Sequence, residues 1–307
     1  MHNKRLLGLS LAIFGSSLWG VSGPASEVLF QQGTDVAWLI SSKMLIAGVL
    51  TMIFAWLREG KRVFAPWRNR RDASQMIIFI IFGMITMQFI YFKAVAVANA
   101  PTATTLQYLS PVVILLILAL KTRELPRRTD VLVIALAMLG TLLVVTKGHL
   151  TTLAISPAAL LWGLGAALAA ALYTLLPSGL LARFSPLVVV GWAQLIGGLV
   201  MTVYRPLWRG IPHLNGFGWG AFWFVVIFGT LIAYLAYLAS LRYISATAAG
   251  LLDAFEPIGA TVVSVLVLHL HLGAAEILGT AIIIGTVFLM AAAGPHAPNQ
   301  KKPRPAA

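Results

Sequence analysis

Of 307 residues, 59% are hydrophobic and 10% are charged, where soluble domains carry roughly 25% charged residues, so a water-soluble fold is excluded. The chain has no cysteine, which excludes disulfides and thiolate metal sites. Its formal net charge of +13 sits in short segments between apolar runs, a membrane-topology signal and not a nucleic-acid surface.

Lipid offers backbone groups no hydrogen-bond partners, so only helices or closed barrels span it. Barrel strands alternate apolar and polar residues over about 10 positions. Here Ile77 to Val97 and Ile277 to Ala293 run without a break at about helix-spanning length. The apolar stretches fall near 6–27, 36–57, 75–98, 102–120, 129–147, 157–181, 186–204, 217–241, 246–268 and 272–293. They predict an all-α membrane protein with ten transmembrane helices. The first stretch is too long for a signal-peptide core and lacks a small-x-small cleavage site, so it is read as helix one. Little chain is left for a soluble domain.

With the N-terminus inside, seventeen of the 22 Lys and Arg residues fall in cytoplasmic pieces. Lys147, Arg205 and Arg209 lie outside, and Lys43 and Lys93 lie within helices. This bias predicts a multi-pass inner-membrane protein with both termini cytoplasmic. The segment 295–307 is Pro-rich and basic, and is expected to be a disordered tail.

The chain also resembles itself. Shifted by 146 residues, Tyr91 meets Tyr237, Ala100 meets Ala246, Ala103 meets Ala249, Leu106 meets Leu252 and Pro111 meets Pro257. Other matches are Pro24 with Pro177, Ala47 and Thr51 with Gly198 and Thr202, and Gly140-Thr141 with Gly285-Thr286. These divide the chain into a first five-helix repeat, 1–147, and a second, 157–294. Five is odd, so the second repeat enters the membrane inverted. Inverted repeats place a substrate site near the midplane and expose it alternately by rocking.

Several residues in this frame resemble the drug/metabolite transporter superfamily, EamA type. They are Trp19-Gly20, Lys43, Tyr91-Phe92-Lys93-Ala94, the run Leu106-Gln107-Tyr108-Leu109-Ser110-Pro111 and its echo Leu252 to Pro257. The resemblance implies a 5 + 5 helix secondary transporter. Its nearest branch, the bacterial exporters of aromatic and other amino acids linked to methyl viologen resistance, implies amino-acid export. The second half has Leu172-Tyr173 where the first has Trp-Gly, so helices one and six need not play equal roles.

Polar groups at mid-bilayer are costly and usually face the protein interior. Asp253 and Glu256 share a helix face, and their repeat counterparts are Gln107 and Ser110. Tyr234 and Tyr237 share a face, as do their counterparts Gln88 and Tyr91. The pattern predicts a cavity between helices three, four, eight and nine; the alternative is hydrogen-bonded packing between helices. Tyr108, beside Gln107 in the family-like run, joins the candidate binding set. Glu256 and Asp253 are candidates for ion coupling, and Asp253 could instead pair with Arg242 or Lys93. Pro257 after Glu256 predicts a kink or a bend.

In helix six, Trp162, Ala166, Ala169 and Tyr173 line one face, either a slot for an aromatic, aliphatic or cationic group or ordinary packing of small residues with Trp162 in the interfacial belt, with Tyr173 the favoured functional residue. In helix one, Gly8, Ala12, Gly15, Trp19 and Gly23 form a stripe, with Trp19 either in the cavity or in the interfacial belt. Lys43 could attract a substrate carboxylate, but pairing with Glu27 or Asp35 or snorkelling outward is the favoured reading. His269 and His271 read as surface residues, with no metal site. No H-E-x-x-H, G-x-S-x-G or Walker A pattern is present, so no enzyme and no cofactor is expected. The expected partners are small solutes, amino acids first, and the lipid bilayer, with one chain sufficing as a unit. The rival readings are a proton-coupled exporter of organic cations and a membrane-embedded enzyme.

Overall fold

The computed structural model describes residues 2–122, 128–148, 154–240, 243–244 and 252–293. The basic segment 295–307, Arg242, Ala246, Ala249 and the first part of the ninth stretch lie outside them. The helices are α1 (His2–Gln31), α2 (Val36–Glu59), α3 (Arg70–Val97), α4 (Ala100–Lys121) and α5 (Arg128–Thr146). They continue with α6 (Pro157–Leu181), α7 (Pro186–Tyr204), α8 (Gly216–Ser240), α9 (Phe255–Val267) and α10 (Ala274–Ala293). No strand occurs among the described residues. Among the described residues, eight helices, α1 to α8, are long and apolar enough to cross a bilayer, and shorter apolar helices occupy Phe255–Val267 and Ala274–Leu289. Leu57, Leu120 and Val203 are 77%, 80% and 85% exposed, as an apolar surface that faces lipid requires.

Helix starts are set by short polar side chains that accept a free backbone N–H of the first turn. Asp35 accepts from Trp38, Asn69 from Arg71, Asn99 from Thr102, Ser156 from Ala159, Ser185 from Val188 and Asn215 from Gly218. Pro101, Pro157 and Pro186 fill first-turn positions, where a missing N–H costs nothing.

Two helices carry a π-helical segment in mid-span, Phe79–Ile85 in α3 and Phe224–Ile232 in α8. In α3 the Thr86 hydroxyl donates to Ile81 O at 2.8 Å, and in α8 Thr230 donates to Val225 O at 2.8 Å. Each bond reaches five residues back. Such segments are rare and occur often at functional sites.

The helices pack in reciprocal pairs. α2 crosses α7, α5 crosses α10, α1 lies against α8 and α9, and α6 lies against α3 and α4. At the α2–α7 crossing, a Cβ on Gly48 would stand 2.5 Å from Leu195 N, and one on Gly198 would stand 2.5 Å from Leu45 N. Small residues let backbones meet in this way in a bilayer, where the hydrophobic effect does not draw helices together. Gly140 meets the Gly279 carbonyl, whereas Gly285 faces open space.

Both ends of the α2–α7 pair are tied. At one end Asp35 pairs with Arg205 at 3.2 Å and Trp38 Nε1 donates to Leu207 O at 3.0 Å. At the other, Ser185 donates to the Glu59 carboxylate and Trp192 Nε1 donates to Val63 O at 2.7 Å.

Candidate functional site

Two interruptions organise the interior. The α4 span holds an α-helix Ala100–Gln107 and a second one starting at Ser110, separated by a turn at Tyr108–Leu109. Likewise the chain turns at Asp253–Ala254 before α9 starts at Phe255. Irregular backbone at membrane depth persists only where protein buries it or where it lines a cavity. Pro257 therefore does not kink a running helix. It lies in the first turn of α9, where its missing N–H is harmless, and the break falls upstream.

An aromatic cluster stands beside these turns. The Trp19 ring is 5.0 Å from Tyr234 and 5.1 Å from Tyr237, so it belongs to the interior and not to the interfacial belt. The Tyr173 hydroxyl donates to Tyr234 Oη at 3.5 Å, linking α6 to α8, and the Tyr173 ring is 5.5 Å from Phe79. Trp19, Tyr108, Tyr173, Tyr234, Tyr237, Asp253 and Glu256 are all half-buried, so each keeps surface free for contact.

The two carboxylates differ. Asp253 is held by Ser16, which donates to Oδ1 at 2.8 Å, and by Tyr237, which donates to Oδ2 at 3.1 Å. Neither Lys93 nor any other described cation pairs with it. The Glu256 carboxylate has no hydrogen bond or ion pair from the described residues, yet it lies within electrostatic reach of Tyr91, Tyr108, Tyr234 and Tyr237. The residue's backbone is pressed on α1, where a Cβ at Gly20 would stand 2.4 Å from Glu256 O.

On the α3–α4 side, the Tyr91 and Thr104 hydroxyls share a hydrogen bond of 3.0 Å. Gln88 reaches only Met84 Sδ, at 4.0 Å. Gln107 Oε1 and the Tyr108 hydroxyl are buried with no partner. An unpaired buried polar atom costs about 1–3 kcal/mol, and these two stand beside one helix break.

Trp162 is not brought to this cluster; it packs on Phe89 with ring centres 6.3 Å apart. The predicted slot on α6 is closed, because Ala166 and Ala169 are each 1% exposed and taken up by helix packing. The α1 stripe is a packing seam, Gly15 against Ala233 O and Gly23 against the Tyr91 hydroxyl. Lys43 neither snorkels nor pairs. It is 3% exposed, and its ammonium sits 4.0 Å over the Phe92 ring. Asp35 is engaged by Trp38 N and Arg205, and Glu27 by Ala100 N–H. His269 and His271 are exposed, and no metal-binding cluster occurs among the described residues.

Sequence reasoning missed Ser16 and Phe79. Ser16 lies three residues before Trp19, on the same side of α1, and that spacing was a usable signal. Nothing in the sequence marked Phe79.

With this geometry in place, comparison with known proteins identifies the class. The EamA-like transporter family model matches residues 6–146 and again residues 157–292. The chain belongs to the EamA-like transporter family. It is 33% identical over 284 residues to a Salmonella typhimurium protein named "Uncharacterized inner membrane transporter YicL", covering 92% of this chain and 94% of that one. It is 31% identical over 134 residues to a Synechocystis protein named "Uncharacterized transporter sll0355", covering 42% of this chain and 40% of the relative. A solved crystal structure of 22% identity superposes with a TM-score of 0.62, covering 94% of this chain and 96% of that chain, a likeness of fold alone. The EamA-like chain is a membrane transporter.

Proposed function

We propose that this EamA-like chain is a secondary transporter that exports amino acids, aromatic and hydrophobic ones first, by alternating access. In this reading all ten helices cross the membrane with both termini cytoplasmic, in two inverted repeats, 1–147 and 157–294, and a single chain is the working unit. The family model's two matches, the reciprocal helix pairs and the two mid-span π segments support that symmetry. One observation carries the functional reading. The two helix breaks, at Tyr108–Leu109 and Asp253–Ala254, lie beside one cluster of aromatic rings, and interrupted helices at a repeat interface are where secondary transporters bind solutes.

The binding groups are Trp19, Tyr91, Gln88, Gln107, Tyr108, Tyr173, Tyr234, Tyr237 and Glu256. The rings give an apolar side chain flat surfaces, Glu256 takes an ammonium, and the unpartnered Gln107 and Tyr108 atoms offer hydrogen bonds. Phosphorylated solutes would need an Arg or Lys cluster inside, which the cluster lacks. Counterflow in proteoliposomes with phenylalanine, tyrosine, leucine and a set of organic cations tests this. Exchange of aromatic amino acids is expected, and failure of every amino acid to exchange would remove the substrate class.

The unpartnered Glu256 also favours a second reading, export of organic cations against protons. Transport that survives Glu256→Gln with its pH dependence intact would exclude it.

A further inference from the structure

Lys43 lies on α2 with 3% of its surface exposed. No carboxylate of the described residues reaches it. Its one close partner is the face of Phe92, at 4.0 Å. A desolvated cation–π contact contributes about 2 kcal/mol, whereas burying an ion costs several kcal/mol even after relaxation. The contact alone does not offset the burial, and the deficit points to an anion in another state of the molecule.

The surroundings say which state. The Phe92 ring stands 5.1 Å from Tyr91 and 6.3 Å from Phe30, so the ring under the ammonium belongs to an aromatic group that reaches α1. Tyr91 seals against α1, where a Cβ on Gly23 would come 2.9 Å from its hydroxyl and 3.1 Å from Ala100 Cβ. One turn along α1, Glu27 accepts Ala100 N–H at 2.9 Å and fastens α1 to the first turn of α4. Lys43 is thus linked through Phe92 to Phe30 on α1 and to Tyr91 at the α1–α4 seam.

We propose that Lys43 binds the carboxylate of a transported solute, with Phe30 and Phe92 against the solute's apolar part, once α1 and α4 part at the Glu27–Ala100 contact. This deepens the transport reading above, and it is tested by binding alone so that the two can fail separately.

The purified full chain is titrated with phenylacetate, its neutral methyl ester and phenethylamine, and binding is read from the thermal unfolding temperature. The wild type is expected to be stabilised by phenylacetate more than by the ester. Lys43→Met should weaken phenylacetate at least tenfold, about 1.4 kcal/mol, and leave phenethylamine unchanged, while Lys43→Arg retains phenylacetate binding. Equal stabilisation of the wild type by phenylacetate and its ester overturns the proposal, and this arm holds even where Lys43→Met does not fold. Wild-type affinity for phenylacetate in Lys43→Met overturns it as well. Phenylacetate binding that depends on Lys43, in a protein that exchanges no amino acid, would keep the anion point and remove the amino-acid assignment.

Discussion

Tyr237 donates its hydroxyl to Asp253 Oδ2 at 3.1 Å, from α8 to the turn before α9. With Ser16 donating to Oδ1 at 2.8 Å, Asp253 joins three segments, while Glu256, one turn further on, joins none. Two carboxylates three residues apart thus stand differently: one is bonded to two helices, and the other has no side-chain bond among the described residues, which is why the proposed site gives Glu256 to the ligand.

Replacing them should separate stability from transport. Tyr237→Phe and Ser16→Ala each remove one bond to Asp253, and bonds between helices in membranes average about 0.6 kcal/mol. Each variant should therefore melt slightly below the wild type, and the double variant should lose more. Glu256→Gln removes no bond and should melt like the wild type while losing amino-acid exchange. A Glu256→Gln protein with full exchange would remove Glu256 from the site.

Gln107 offers a second separation. Its Oε1 is buried with no partner, and replacing such a group by an apolar one of similar size is nearly neutral for stability. Gln107→Leu is expected to fold as well as the wild type and to raise KM for exchange at least tenfold. An unchanged KM would make the unpaired atom a feature of packing alone.

The spans were legible because an apolar run of helix-spanning length has no alternative in lipid, and helix caps such as Asp35 and Asn215 stand in plain view at their edges. The inner register was not. Leu106 to Pro111 reads by its apolar residues as a continuing helix, yet Pro111 cannot bond back to Gln107 O, and the break falls just upstream of it as it does before Pro257. Lys43 was misplaced too. Its helix is apolar on every side, so periodicity does not tell a lipid face from a protein face. The α6 slot failed because alanines at helical spacing describe a packing seam as well as an opening, and only the neighbouring helix decides. Tyr234, Tyr237 and Trp19 were found because large polar-tipped rings in mid-span are rare enough to stand out.

The α2–α7 crossing sets a limit on substitution. Any side chain at Gly198 meets the backbone of Leu45, which cannot rotate away. Overpacking in a tight interior costs about 1–3 kcal/mol or more, and here the whole helix must move. Gly198→Leu and Gly48→Leu should each give a protein that does not run as a monodisperse species in detergent. Gly285→Ala, facing open space on α10, should melt like the wild type or above it, because alanine favours helix over glycine by about 1 kcal/mol. A stable Gly198→Leu protein would show that this crossing is looser than its contacts imply.

Two arginines at the membrane edges should respond differently to removal. Arg205 and Asp35 are 30% and 46% exposed, so their pair is screened by water and salt. Exposed pairs of this kind contribute about 0.2–1 kcal/mol, and Arg205→Met should lower stability little, with the loss vanishing at high salt. Arg183 pairs with Asp72, whose side chain is only 9% exposed, and also donates to Gln75 Oε1 at 2.9 Å and Gly179 O at 2.9 Å. Its removal leaves a nearly buried carboxylate without its cation and cuts the tie between α3 and α6. Breaking a fully buried pair costs about 3–5 kcal/mol. Arg183 itself is 39% exposed, so part of that cost is recovered by water. Arg183→Met should still destabilise clearly more than Arg205→Met, and the difference should persist in high salt. Asp72→Asn in the same background should recover part of the loss, since it removes the stranded charge, and melting curves of the four proteins at low and high salt decide the matter.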